Sequence, residues 1–131
     1  MAKVSIKQTV SCDCKDVWDI LLAVDMYPTW RSDVEKVEVV SDQVFIEYAK
    51  GGIATTFTVR VKDACTRWEF DIDNKMIQGH WVGLLKDKRS HTELEFTEDI
   101  TPKKWYMKPF VKSFLMKTQK QFMADLVAYI K

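Results

Sequence analysis

Apolar and polar residues alternate with period two along most of this chain, and the alternation is interrupted only near the start and at the end. Val4, Ile6 and Val10 alternate with Ser5, Lys7 and Thr9, which predicts a half-buried first strand. The period then changes. Asp13 and Asp16 suit an N-cap and first turn, and Val17, Ile20, Leu21 and Val24 mark one face of a helix with Trp18 beside it. Pro28 disfavours helical geometry at Tyr27, so this helix should end near Asp25, with a second short helical turn running to about Asp33.

From Val37 onward period two returns. Val37 and Val39 lead to a turn at Ser41-Asp42, after which Val44, Ile46 and Tyr48 read as one face and Phe45 and Glu47 as the other. Lys50-Gly51-Gly52 is a hairpin signal, because paired glycines supply positive φ cheaply. Thr55, Phe57, Val59 and Val61 form the next apolar set, then Trp68, Phe70 and Ile72, then Ile77, Gly79, Trp81, Gly83 and Leu85, then Thr92, Leu94 and Phe96. Charged or Asx-rich turns separate these runs, and Thr101-Pro102 closes them.

The final stretch has helical spacing. Pro109 suits a first helical position, and a helix from there to Ile130 would run about 33 Å. One stripe reads Val111, Phe114, Leu115, Thr118, Phe122, Leu126 and Tyr129, and a second reads Met116, Met123, Val127 and Ile130. The expectation is a helix gripped on more than one side, tightest at its C-terminal half and more open near Pro109. Strands apolar on one face need a cover, and this helix is the one element long enough to supply it. The fold class is therefore α+β: a seven-stranded curved antiparallel sheet around a long C-terminal helix, with two short helices after strand 1 (β-α-α-β6-α). The first strand is expected to return beside the last.

Composition adds bounds. At 131 residues the chain is expected to form a single domain over 1–131, and 47% hydrophobic with 30% charged residues fits an ordinary soluble globular protein. No apolar run approaches a membrane span, and the first residues lack a signal-peptide core. Three cysteines argue against a disulfide framework and for a cytoplasmic location, with Cys12-x-Cys14 read as structural thiols rather than metal ligands. The net charge of +1 conceals an asymmetry, since residues 102–131 hold seven lysines against Asp125 alone. Those lysines are either a solvated helix back or an attraction to an anionic headgroup, membrane surface or acidic partner. Nucleic acid is not expected as a partner.

The stretch VSIKQTVSCDCKDVWDILLAVDMYPTWRSDVEKVEVV, followed by Gly79-His80-Trp81 and TELEFTEDI, resembles the SRPBCC group, which includes the START and Bet v 1-like proteins and the polyketide cyclase/dehydrase-like branch. The resemblance covers essentially the whole chain and implies the helix-grip fold. It also implies a hydrophobic cavity between sheet and long helix, taking a lipid, sterol, polyketide or other small hydrophobic molecule. It carries no catalytic set onto this chain.

The candidate cavity lining comprises the rings Phe57, Trp68, Phe70, Trp81, Phe96, Phe114 and Phe122, together with Tyr48, Gly79, Glu98 and Thr118. The rings either fill the interior or wall a pocket; Gly79 and Gly83, on the face of Trp81, leave room for its ring or for a ligand. Thr118 either bonds the carbonyl one turn back or offers its hydroxyl to a ligand. Glu98, if inward, is the best general-base candidate, because burial would raise its pKa. His80 and His91 fall on the outward alternation, away from clustered carboxylates. No catalytic motif, metal site or cofactor signature is present. A carrier or sensor for an apolar ligand, a cyclase or dehydratase, and a protein-interaction module around Trp105 and Tyr106 all remain compatible with the sequence.

Overall fold

The computed structural model describes residues 2–130. Seven strands run β1 (Ala2–Val10), β2 (Val34–Val39), β3 (Val44–Ala49), β4 (Ala54–Asp63), β5 (Arg67–Asp73), β6 (Ile77–Asp87) and β7 (Thr92–Pro102). They form one antiparallel sheet in the order β1-β7-β6-β5-β4-β3-β2, so β1 does return beside β7. Helix α1 (Cys14–Leu22) and a 3₁₀ turn (Val24–Thr29) fill the gap between β1 and β2. A second short 3₁₀ turn (Trp105–Met107) leads into α2 (Lys108–Ile130).

Local chemistry explains the boundaries. The Asp13 side chain accepts from the Asp16 amide at 2.9 Å and caps α1. Pro28 lies in the 3₁₀ turn, and the buried Tyr27 hydroxyl donates to the Leu21 carbonyl, holding that turn against α1. Gly52, at φ +90, turns the β3–β4 hairpin. Register shifts between Val34 and Lys36 and between Val59 and Val61 bend the sheet into its curve.

Strand β3 faces the opposite way from the reading that put Tyr48 in the cavity lining. Phe45 lies directly opposite Phe57 and stacks on it with centroids 4.9 Å apart, so both rings face inward. Period two then puts Glu47 inside with Phe45 and sends Tyr48 outside, where its hydroxyl donates to Glu38 at 2.9 Å and Lys36 lies over its ring. Counting apolar residues favoured the wrong face, because Ile46 and Tyr48 together outweigh a lone phenylalanine next to a glutamate.

Helix α2 is rotated relative to the predicted stripe. Its buried residues are Val111, Leu115, Gln119, Met123 and Leu126, whereas Phe114 and Tyr129 are exposed. Gln119 is tolerated in the core because its Nε2 donates to the Phe96 carbonyl at 3.2 Å. The helix packs mainly on β1 and β7, and Asp125 accepts from both the amide and the hydroxyl of Ser32 at 2.9 Å. Tyr129 stacks on Trp30 at 5.7 Å. The C-terminal half is thus clamped, while β3, β4 and β5 curve away from the helix and leave a space.

The two inner-face glycines of β6 have different reasons. A Cβ on Gly83 would lie 2.5 Å from the Trp81 ring, so the indole covers that glycine. A Cβ on Gly79 would lie 2.2 Å from the Asp99 carbonyl oxygen, so that glycine permits close backbone approach to β7. Neither opens space for a ligand. Trp81 is wedged against Phe70 at 4.6 Å and Phe96 at 4.8 Å and has little freedom to retreat. Gly83→Ala is therefore expected to cost about 1–3 kcal/mol as an overpacking change, measured by urea unfolding. A neutral result would show that the indole shifts freely.

Candidate ligand-binding site

The space between α2 and the curved sheet is a cavity of about 230 Å³. Its walls are rings carried by alternate positions of adjacent strands: Phe45 on β3, Phe57 on β4, Trp68 and Phe70 on β5, and Trp81 on β6. These rings touch edge to face or stacked, with centroids 4.6–6.4 Å apart, so they brace one another and do not collapse into the gap. Phe114, Leu115, Thr118 and Phe122 of α2 close the opposite side. The cavity reaches the surface where Ile53, in the β3–β4 hairpin, and Phe114 are both exposed lining residues.

One end is polar. Arg31, from the loop after the 3₁₀ turn, donates from Nη1 to Glu47 at 2.8 Å and from Nη2 to Asp33 at 3.0 Å. Its guanidinium lies 4.8 Å from the centroid of the Phe122 ring and 5.2 Å from that of Tyr27. Burial works against the charge on Arg31, but Glu47 and Asp33 more than restore it and its pKa is raised. Glu47 is also raised, because burial there exceeds what Arg31 returns. One guanidinium serves two carboxylates, so Glu47 receives only part of its charge. Arg31 Nε, Asp33 Oδ1 and the indole Nε1 of Trp68 are buried with no partner, and all three residues line this cavity.

Glu98 points in from β7. The residue is half-buried and lines the cavity. This burial pushes its pKa up to about 7, with Arg31 pulling down and Glu47 pushing up. At neutral pH Glu98 is therefore divided between a hydrogen-bond donor and an anion, while Arg31 stays a cation.

Phe57, Trp68, Phe70, Trp81, Glu98, Phe114, Thr118 and Phe122 come together at this cavity. Three expected lining residues lie elsewhere. Tyr48 is on the outer face, Gly79 is pressed against the β7 backbone, and Phe96 is fully buried beneath Trp81 and Phe122. Phe114 is at the mouth and not in the core, and the Thr118 hydroxyl donates to the Phe114 carbonyl at 2.6 Å, the back-bond expected of a helical threonine. Sequence reasoning missed Arg31, Asp33 and Glu47. The sequence held no signal for them beyond Glu47 sharing its alternation with Phe45, and the pairing of Phe45 with Phe57 is what turns that face inward.

His80 corrects another expectation. It lies on the outer face as predicted, yet its ring nitrogens sit 2.7 Å from Glu69 and 2.7 Å from Asp71. Partial burial works against its charge, the two carboxylates outweigh that effect, and its pKa is raised. This cluster is on the far side of the sheet from the cavity. Cys14 is buried, its thiol donates to the Cys65 carbonyl at 3.1 Å, and burial pushes it up to about 12. Among the described residues no group of three or more His, Cys, Asp or Glu side chains is arranged to hold a metal ion.

A curved seven-stranded antiparallel sheet gripping a long C-terminal helix, with an apolar cavity between them, is the helix-grip α+β fold. Over residues 1–131 the chain belongs to the family described as polyketide cyclase / dehydrase and lipid transport. A START superfamily protein from Mycobacterium smegmatis superposes with a TM-score of 0.91 at 12% identity, covering 99% of this chain and 97% of that one. The Zhui aromatase/cyclase from a Streptomyces species superposes with a TM-score of 0.87 at 14% identity, covering 98% and 92%. A conserved protein from Geobacillus kaustophilus gives 0.86 at 9% identity, covering 98% and 94%. At these identities the likeness extends to the fold alone. No functionally curated protein matches the sequence.

Proposed function

We propose that the protein binds a small apolar molecule of one or two rings, with its polar group turned toward Glu98 and Arg31. The observation that carries this is a ring-walled cavity of about 230 Å³ ending in partly unsatisfied polar groups. An apolar cavity of about 150 Å³ holds a benzene, so this one suits a somewhat larger ring system and is small for a sterol or a full acyl chain. Left as a dry void it would cost on the order of 5 kcal/mol at about 24 cal/mol per Å³. That is a large part of a small domain's stability, about 5–15 kcal/mol, so an occupant or ordered water is energetically favoured.

Titration with 2-naphthol, read by quenching of Trp68 and Trp81, is the test. Saturable quenching is expected, together with none from a sterol at equal concentration. No saturation with any one- or two-ring phenol or ketone would overturn the proposal. Mass spectrometry of the organic extract of natively purified protein would then identify any resident molecule.

Acid–base catalysis on the bound molecule, as in a cyclase or dehydratase, is favoured by one specific observation. Glu98 lines the cavity, and burial there pushes its carboxyl up to about 7, the range in which a general acid or base is most effective. Turnover of a bound ketone that vanishes in Glu98→Gln while affinity persists would establish catalysis. Unchanged turnover would exclude Glu98 from it.

A further inference from the structure

The surface beside the cavity mouth carries an unusual group of exposed rings. Trp105 is 81% exposed, Tyr106 54%, Phe110 69% and Phe114 59%. They come from the Trp105–Met107 turn and the first two turns of α2, where Phe110 and Phe114 lie one turn apart on the same side. The clamped C-terminal half of α2 has no such cluster. Residues 103–124 contain no acidic side chain. Lys103 is held by Asp73 at 2.6 Å, but Lys104, Lys108, Lys112, Lys117 and Lys120 are exposed and, among the described residues, form no ion pair.

We propose that this end of the molecule docks on an anionic lipid bilayer. The rings enter the headgroup boundary and the lysines meet its negative charge. Tryptophan and tyrosine favour that interface because one part of the ring system is apolar and another hydrogen-bonds. A basic segment without acids is drawn to anionic lipid, whereas a mixed-charge one is not. A bilayer is preferred to an acidic protein because Phe114 belongs both to this patch and to the cavity wall. A molecule in the cavity would then exchange with the membrane along apolar surface instead of crossing water. No helix among the described residues is long and apolar enough to span a membrane, so the contact is peripheral.

The choice of a bilayer rests on the ligand-binding proposal, but the experiment needs no ligand, so the two can fail separately. The full chain is sedimented with vesicles of phosphatidylcholine alone and with vesicles that also contain phosphatidylglycerol. Binding is expected to the anionic vesicles only, weakening with added salt. Trp105→Ala with Phe110→Ala should reduce partitioning by at least about tenfold, and each of Lys104→Gln and Lys108→Gln by about fivefold. Thermal melting should be unchanged in these variants, because the substituted side chains are exposed. Failure to bind anionic vesicles, or equal binding by the aromatic double variant, would overturn the proposal. So would a concentration-dependent dimer that the double variant dissociates, since the patch would then belong to a second copy of the chain.

Discussion

Arg31→Met is expected to lower the unfolding free energy by about 3–5 kcal/mol at pH 8. The side chains of Arg31 and Glu47 are only 9% and 12% exposed, so removing the guanidinium leaves one nearly buried carboxylate, and a second at Asp33, without a counter-charge. The loss includes the seat of the guanidinium over the Phe122 and Tyr27 rings. At pH 5 the penalty should shrink, because Glu47 and Glu98, both raised above their ordinary range, escape by taking up protons. The double variant Arg31→Met with Glu47→Leu should recover at least half of the loss, since it removes both buried charges together. Urea unfolding of the wild type, both single variants and the double variant at the two pH values measures this. A double variant no more stable than Arg31→Met would show that the pair is not an isolated charge couple.

Glu98→Gln is expected to flatten the dependence of stability on pH. The carboxyl has an ordinary value of 4.5 and is raised to about 7 in the folded protein. Between those values the folded protein binds more protons than the unfolded chain, so stability falls as pH rises through the window. The full shift corresponds to at most about 3 kcal/mol, and residual hydration in the cavity will reduce it. His80 contributes in the same direction, because its raised pKa gives stability that is lost as pH rises through its folded value. The wild-type slope therefore combines several groups, and the difference between wild type and Glu98→Gln isolates Glu98. Identical slopes between pH 5 and 8 would mean that Glu98 is as well hydrated folded as unfolded. The same variant should make binding of a hydrogen-bond acceptor less sensitive to pH, because the amide remains a donor throughout.

The element order followed from period and from local helix and turn signals. Alternation marked every strand, Pro109 and the unbroken run to Ile130 marked α2, and Asp13 marked the start of α1. Period two also placed Phe57, Trp68, Phe70 and Trp81 on the inner face, because the large rings of each of those strands fall on one alternation. Periodicity is uninformative where charge enters the interior. Glu47 looks like a surface residue in any hydropathy count, and only the cross-strand pairing of Phe45 with Phe57 shows which way β3 faces. Arg31 and Asp33 sit in a loop without periodicity, so the pairing of Arg31 with Glu47 across 16 residues of sequence had no local signal.

Helix α2 shows the same division. Its length, its lysines and its apolar character follow from the sequence by itself, because they depend on spacing and composition. Which side it buries does not, since two overlapping stripes satisfy helical spacing equally. Only its seating on β1 and β7, with Asp125 bound to Ser32 and Gln119 to the Phe96 carbonyl, selects the rotation that puts Phe114 at the cavity mouth and Phe110 in the open. The sequence by itself therefore determined that a helix would cover a curved sheet. Tertiary structure alone decided which strands stand off from the helix to wall a cavity, and which charges share it, because both depend on contacts between segments that no local pattern encodes.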